Sequence, residues 1–153
     1  MQTRRDLLAR SAALAALLAA GAAAPARAQS GGWNQAAFET KSIDESLKAL
    51  GLAKPVESKD IVFTAPDIAE NGAVVPIAAS TTLPGVQRLA FMIEKNPTTL
   101  AGSFELTDAV ESSVATRVKM AQTSNVFAVA MLGDDRTVFA KKEVKVTLGG
   151  CGG

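Results

Sequence analysis

The 153-residue chain contains no histidine and no tyrosine, and it has a single cysteine, Cys151. The absence of histidine removes the side chain that most often acts as a general base or binds a transition metal. A self-contained Ser-His-Asp triad and a cysteine–histidine pair are therefore both excluded. One cysteine cannot form a disulfide within the chain, so the folded protein must depend on its hydrophobic core.

The first 28 residues have the layout of an export signal. Arg4 and Arg5 precede an apolar stretch over residues 12–24, and Ala26-Arg27-Ala28 provides the small residues that a signal peptidase needs. The adjacent arginines favour the twin-arginine route, which predicts export to the periplasm and removal of residues 1–28. A transmembrane anchor is the alternative, but the run is mostly alanine and shorter than the ~20 residues that a span requires. We therefore expect no membrane anchor.

Little excess charge of either sign is present. The full chain has 16 basic and 15 acidic residues, and removal of the signal leaves 12 basic and 14 acidic residues, a net charge of −2. A nearly neutral chain has no general attraction for nucleic acid, so we expect no nucleic-acid partner. No cluster of metal ligands is apparent, because Asp134-Asp135 lacks a third ligand nearby in sequence, and we expect no cofactor.

Residues 29–148 predict a single all-β domain preceded by a short N-terminal helix. Ser42 and Glu45 form a capping-box pattern, and Ile43, Leu47 and Leu50 follow helical spacing. An upstream turn around residues 33–38 is expected to extend this helix. Apolar alternation or continuous apolar runs then predict strands at 61–63, 73–80, 89–93, 104–106, 114–120, 126–132, 137–140 and 144–148.

The pattern of these strands favours an immunoglobulin-like antiparallel β-sandwich, because seven or eight short strands are separated by turns and not by helices. The run 126–132 is apolar throughout, which predicts a central strand. Pro76 cannot donate a backbone hydrogen bond, which places its strand at an edge or a bulge.

The last five residues, 149–153, predict a flexible arm. Gly149 and Gly150 precede Cys151, and Gly152 and Gly153 follow it. Glycine gives the backbone conformational freedom and adds no bulk, so five extended residues could carry the thiol up to about 17 Å into a narrow cleft. With no histidine available as a base, activation of the thiol must come from another protein. This is the chemistry of a substrate carrier, which is not itself an enzyme.

Three other interpretations of the tail remain open. It could be an idle terminus. It could link two copies of an exported structural or binding module through an intermolecular disulfide. It could also load sulfur on the carboxylate of Gly153, as cytoplasmic carriers do, although that chemistry requires ATP, from which export would separate the protein.

The terminal sequence from Gly149 to Gly153, preceded by Val144-Lys145-Val146-Thr147, resembles the C-terminal signature of the SoxY family. The segments 69–76 and 117–120 are also similar to the interior of that family. SoxY proteins are the sulfur-carrier subunits of the periplasmic thiosulfate-oxidising system. The resemblance covers essentially the whole chain after the signal, and its most specific part is the pentapeptide.

The resemblance implies that Cys151 carries pathway intermediates covalently, while Gly149, Gly150, Gly152 and Gly153 supply reach and slimness. It implies SoxZ as a stable partner. Transient partners would be the cytochrome SoxXA, which joins thiosulfate to the thiol, the hydrolase SoxB, which releases sulfate, and the sulfane dehydrogenase SoxCD.

Overall fold

The computed structural model describes residues 34–150. The predicted signal, Cys151, Gly152 and Gly153 lie outside the described residues. Within that range there are two helices and nine strands. In chain order these are α1 (Gln35–Phe38), α2 (Ile43–Ala49), β1 (Val56–Glu57), β2 (Ile61–Thr64), β3 (Ile68–Asn71), β4 (Val75–Thr81), β5 (Val86–Ile93), β6 (Leu100–Glu105), β7 (Ser113–Val118), β8 (Ser124–Leu132) and β9 (Thr137–Leu148).

The strands form two sheets with a hydrophobic core between them. One sheet has the order β1-β9-β8-β5-β6, with β3 also paired to β9, and the smaller sheet has the order β2-β4-β7. The largest fully buried side chain is Phe91, whose ring lies 6.2 Å from the rings of Phe63 and Phe104. The fold class predicted from sequence, an all-β sandwich with an N-terminal helical segment, is confirmed.

A second, smaller core lies under the two helices. Ala37 of α1 and Leu47 of α2 pack with Ala90, Met92 and Val129 of the large sheet. Helix α2 begins as the capping box predicts, since Ser42 accepts a hydrogen bond from the backbone N–H of Glu45 at 3.2 Å. The helices thus cover the face of the large sheet that points away from the small one.

The C-terminal end of α2 is a Schellman motif. The N–H of Leu52 donates to the carbonyl of Leu47, and the N–H of Gly51 donates to that of Lys48. Gly51 has a φ of 69°, a conformation that glycine adopts without steric cost. Helix α1 is separate from α2 and not an extension of it, because Asn34 caps it independently by accepting a hydrogen bond from Ala37.

Pro76 lies in a central strand, so the expectation of an edge strand is wrong for β4 as a whole. The physical reason is local. Strand β2 ends at Thr64, which pairs with Ala78, so Pro76 lies beyond that end and has a strand partner on one side, Arg117 of β7. Proline has no backbone N–H to donate, and β2 has already ended at this point of β4, so no hydrogen bond to β2 is lost there.

Two further features were not predicted from sequence. The segments 137–140 and 144–148 belong to one continuous strand, β9, and β1 and β3 each pair with it in parallel. Every other strand pairing in the described range is antiparallel, as predicted. Because β3 pairs with the last residues of β9, the chain is held in the sheet as far as Leu148.

Candidate functional site

The candidate site is the end of the sandwich from which the terminal segment leaves. Cys151, the predicted site of covalent attachment, lies outside the described residues, as do Gly152 and Gly153. Gly149 and Gly150 are described, and they follow β9 directly. The residues around these two glycines therefore define the part of the site that the structure describes.

Strand β9 is fixed up to its last residue. Val144 is fully buried in the main core, and the N–H of Val146 donates to the hydroxyl of Thr123 at 3.0 Å. The hydroxyl of Thr147 donates to the carbonyl of Glu70 on β3 at 2.9 Å. Alternation along β9 produces this arrangement, because Val144 and Val146 face the core while the intervening side chains face outward.

Three distant parts of the backbone meet just after β9. The N–H of Gly72 donates to the carbonyl of Leu148 at 2.7 Å, and the N–H of Met120 donates to the carbonyl of Gly72 at 2.7 Å. The N–H of Gly150 then donates to the carbonyl of Met120 at 2.8 Å. One such bond contributes about 1 kcal/mol net, so the contact of Gly150 is specific in geometry but weak enough to open.

The three glycines at this point pack with no room for side chains. A Cβ atom on Gly72 would lie 2.8 Å from the nitrogen of Gly150 and 2.9 Å from a methyl carbon of Val146. One on Gly150 would come closer than 3.0 Å to the backbone of Gly72 and Ala73, and one on Gly149 would do the same to the carbonyl of Ala121. None of these glycines has a positive φ, so the requirement is for space and not for a left-handed backbone.

This packing differs from the expectation of an arm that is free from residue 149 onward. The described backbone of Gly149 and Gly150 lies against Met120, Ala121 and Gly72. The lack of a side chain that gives glycine its freedom also allows two backbones to approach closely, and sequence alone does not reveal which property is used. From sequence alone, Asn71-Gly72 indicates no more than a plain turn. Its closeness to the tail is apparent from the fold, and the one signal in sequence was the resemblance of segment 69–76.

The cations near the C-terminal strand are arranged in two ways. Lys142 is engaged, since its Nζ lies 2.9 Å from Asp67 Oδ1 and 2.6 Å from the carbonyl of Ala65. Its hydrogen bond to the carboxylate, with its positive charge, lowers the pKa of Asp67. Arg117 and Lys119 are exposed, and neither forms an ion pair within residues 34–150. Lys141 and Lys145 of β9 are also exposed without an ion pair in this range, so all four cations are available to a partner or an anion.

No group of residues within 34–150 has the composition of a metal site. Asp134, considered from sequence as half of a weak cation site, is paired with Arg136 at 2.6 Å. The hydrogen bond from Arg136 lowers the pKa of the Asp134 carboxyl. No helix in the described range is long and apolar enough to span a bilayer.

An open groove of about 850 Å³ lies on the outer face of the small sheet. Its walls include Thr64, Pro76, Ala78, Ala115 and Arg117, which alternation places on the side facing away from the core. Apart from Arg117 its lining is small and uncharged. The groove has no set of converging polar groups of the kind that orients a small substrate.

The fold and the tail together define a class: a small β-sandwich protein with a helical cap, whose last strand continues into a glycine-rich segment that contains the chain's one cysteine. A family model described as "Sulfur oxidation protein SoxY" matches residues 46–151. The chain belongs to the SoxY family. None of the curated proteins compared with the sequence matches it.

Solved structures agree with this assignment. The sulfur carrier protein SoxY from Chlorobium limicola f thiosulfatophilum is 33% identical, with a TM-score of 0.63 over 70% of this chain and 97% of that chain. A superoxide reductase (neelaredoxin) from Ignicoccus hospitalis is 16% identical, with a TM-score of 0.50 over 56% of this chain and 79% of that chain. The second likeness concerns the fold alone. Membership of the family and similarity to a sulfur carrier assign this chain a carrier role in sulfur oxidation.

Proposed function

We propose that this chain carries sulfur covalently on Cys151 during thiosulfate oxidation and presents the attached intermediates to separate enzymes. The observation that carries the proposal is the course of β9. Its parallel pairing with β3 holds the chain to Leu148 at one end of the sandwich, and only Gly149 and Gly150 stand between that residue and Cys151. The only thiol of the protein is thereby separated from the core by glycines alone.

The chemistry requires a thiol and little else from the carrier. The cysteine sulfur forms a bond to the outer sulfur of thiosulfate, the thiol proton goes to solvent, and two electrons pass to an oxidant of the c-type cytochrome class. Water then attacks the sulfonate group of the adduct, which releases sulfate and a proton and leaves a persulfide on the cysteine. Each step is performed by a partner, which agrees with the absence of histidine from the sequence.

The proposed partners follow from family membership. SoxZ would form the stable complex, while SoxXA, SoxB and SoxCD would meet the tail transiently. We further propose that the protein acts in the periplasm after export by the twin-arginine route. The arginine pair Arg4-Arg5 and the small residues before position 29 support this location.

Replacement of Cys151 by serine tests the function. The purified carrier and its Cys151→Ser variant are each combined with the partner enzymes and thiosulfate, and sulfate release is measured together with the intact mass of the carrier. We expect the wild-type protein to acquire thiosulfonate and persulfide adducts and the variant to show neither adducts nor activity above the level without carrier. A serine hydroxyl keeps the size of the side chain and removes the sulfur nucleophile.

The same measurement decides between the carrier and the disulfide-linked structural module. Wild-type protein that contains only free thiol and a reducible dimer after turnover would support the structural module. Sulfate release that persists in Cys151→Ser would contradict the carrier function. Circular dichroism and binding to SoxZ serve as the controls, since both should be unchanged by a substitution in the tail.

A further inference from the structure

Gly72, Met120 and Ala121 surround the first two residues of the terminal glycine segment. We propose that their backbones form a docking site for Gly149 and Gly150, and that Gly72 is a positioning residue which sets how far Cys151 can reach. The consequence for reach rests on the proposed carrier function. The docking itself depends on contacts among described residues and can be tested without it.

The docking site is rigid apart from the tail itself. The side chain of Asn96 bonds to both sides of Met120, because its Nδ2 donates to the carbonyl of Lys119 at 2.8 Å and its Oδ1 accepts from the N–H of Ala121 at 2.9 Å. On the other side, Asn71 Oδ1 accepts from the N–H of Ala73 at 2.8 Å and closes the turn around Gly72. A receptor that is already ordered binds a mobile segment at a lower entropic cost.

The fit depends on the absence of a side chain at three separate positions. Met120 is fully buried, so its carbonyl is held in place to accept from Gly150. A Cβ on Gly72 would meet the carbonyl of Met120, which accepts from Gly150, and the nitrogen of Gly150 itself, while a Cβ on Gly150 would meet the backbone of Gly72. Mutual exclusion of this kind identifies a contact between two backbones, which freedom of the tail alone would not require.

Docking divides the tail into an anchored part and a leading part. With Gly150 bonded to Met120, the anchored part of the tail ends at a fixed point, and only the residues after Gly150 would contribute to the reach of the thiol. Three extended residues span about 10 Å, compared with about 17 Å for five. A shallow site can be served from the docked state, whereas a deep cleft requires release of Gly149 and Gly150. The single hydrogen bond that holds Gly150 makes such release reversible.

Glycines on either side of Cys151 provide a matched pair of variants. If the segment is simply slender and flexible, Gly150→Ala and Gly152→Ala should have equal effects. If Gly150 is docked, Gly150→Ala should disturb the contact with Gly72 and Met120, and Gly152→Ala should not. Gly72→Ala alters the receptor and leaves the tail sequence intact. Gly102→Ala in β6 is a further control, because its Cβ would meet only the Phe104 ring, at 3.2 Å.

The test is amide hydrogen exchange by NMR on the full chain with its cysteine reduced. We expect the amide of Gly150 to exchange roughly fivefold or more slowly than in an unstructured peptide, the factor that one backbone hydrogen bond provides. Gly72→Ala should abolish this protection, and Gly149→Ala should do the same from the tail side if Gly72→Ala fails to fold. Gly152→Ala and Gly102→Ala should leave it unchanged.

Exchange of Gly150 at the unstructured rate in the wild-type protein would overturn the docking site, as would equal protection in wild type and Gly72→Ala. Formation of adducts on Cys151 is measured in the same variants with thiosulfate and the partner enzymes. We expect adduct formation to persist in Gly72→Ala, because the thiol is untouched. In the wild-type protein, an unprotected Gly150 amide together with adducts on Cys151 would mean that the docking proposal fails and the carrier function stands. A protected amide without adducts would mean the reverse.

Discussion

At the scale of single residues, the clearest electrostatic contact joins β9 to the loop between β2 and β3. Lys142 binds the carboxylate of Asp67 and the carbonyl of Ala65. The hydrogen bond from Lys142 is the main cause of the lowered pKa of Asp67, and the charge of Lys142 adds to it. The ion pair thereby stabilises the position of the loop that precedes β3. Strand β3 in turn flanks the end of β9.

The lowered pKa gives the contact a defined pH dependence. Because the folded state favours the ionised carboxylate, the stabilisation is present above the ordinary pKa of 3.8 and is lost as the pH falls through the lowered value. We predict that Asp67→Asn lowers Tm by about 1 to 3 °C at pH 7, since the pair is exposed. The difference from wild type should shrink toward zero as the pH falls below 3.8 and through the lowered pKa of Asp67.

Thermal unfolding followed by circular dichroism across this pH range provides the measurement. Asp108→Asn is a suitable control, because Asp108 is exposed and forms no ion pair in the part of the chain that the structure describes. A difference between Asp67→Asn and wild type that stays constant or grows on acidification would contradict the role assigned to Lys142.

At the scale of elements, α2 is the main cover of the second core. Leu47 is nearly fully buried among Met92, Leu100 and Val129, while Lys48 beside it is exposed. The helix has only seven residues and would be unstable alone, so its apolar face against the sheet must hold it in place.

We predict that Leu47→Ala lowers the free energy of unfolding by about 2 to 4 kcal/mol, since it removes buried methyl groups and leaves a cavity. Lys48→Ala changes the same helix on its exposed side and should have an effect within about 0.5 kcal/mol. Urea unfolding monitored by circular dichroism compares the two. Equal effects of the two substitutions would show that α2 is not packed as described.

Elements whose pattern is local were predictable from sequence, and those that depend on a distant partner were not. The capping box of Ser42 and the apolar run of β8 contain their own signals. Strand β1 has only two residues, and β3, with the sequence Ile-Ala-Glu-Asn, shows no alternation of apolar and polar residues. Both are strands because they pair with β9. The prediction divided β9 because Lys141-Lys142-Glu143 interrupts its apolar alternation.

The candidate site shows the same division. Cys151 is conspicuous in sequence because it is the only cysteine and stands between glycine pairs. Gly72 is 78 positions away from Gly150, and its role depends on a distance between two backbones that no local pattern encodes. Its assignment from sequence as an ordinary turn residue was reasonable, since an Asn-Gly pair forms turns readily.

At the scale of the whole molecule, Gly149 and Gly150 contribute little to the fold of the part that the structure describes. The core, the helical cap and both sheets are complete before Gly149, and Gly150 adds one hydrogen bond to Met120. If Cys151 carries sulfur as proposed, folding and sulfur carriage lie in different parts of the chain. Such a division would let the proposed adducts form without altering the buried residues of the core.

Two truncations test this division. Removal of residues 151–153 keeps Gly149 and Gly150, so we predict a Tm within about 1 °C of the full chain. Removal of residues 149–153 also deletes the bond from Gly150 to the carbonyl of Met120, which leaves a buried residue with an unpaired acceptor. That truncation should lower Tm by roughly 3 to 6 °C, the shift expected for about 1 kcal/mol in a domain of this size.

Differential scanning calorimetry of both truncated proteins beside Cys151→Ser measures the shifts. The Cys151→Ser protein should match the full chain, since it alters neither Gly149 nor Gly150. If both truncations melt with the full chain, the first two glycines contribute nothing to the fold and the tail is free from residue 149. If both melt lower by the same amount, residues 151–153 themselves stabilise the sandwich, and the thiol cannot be as independent of the core as a carrier requires.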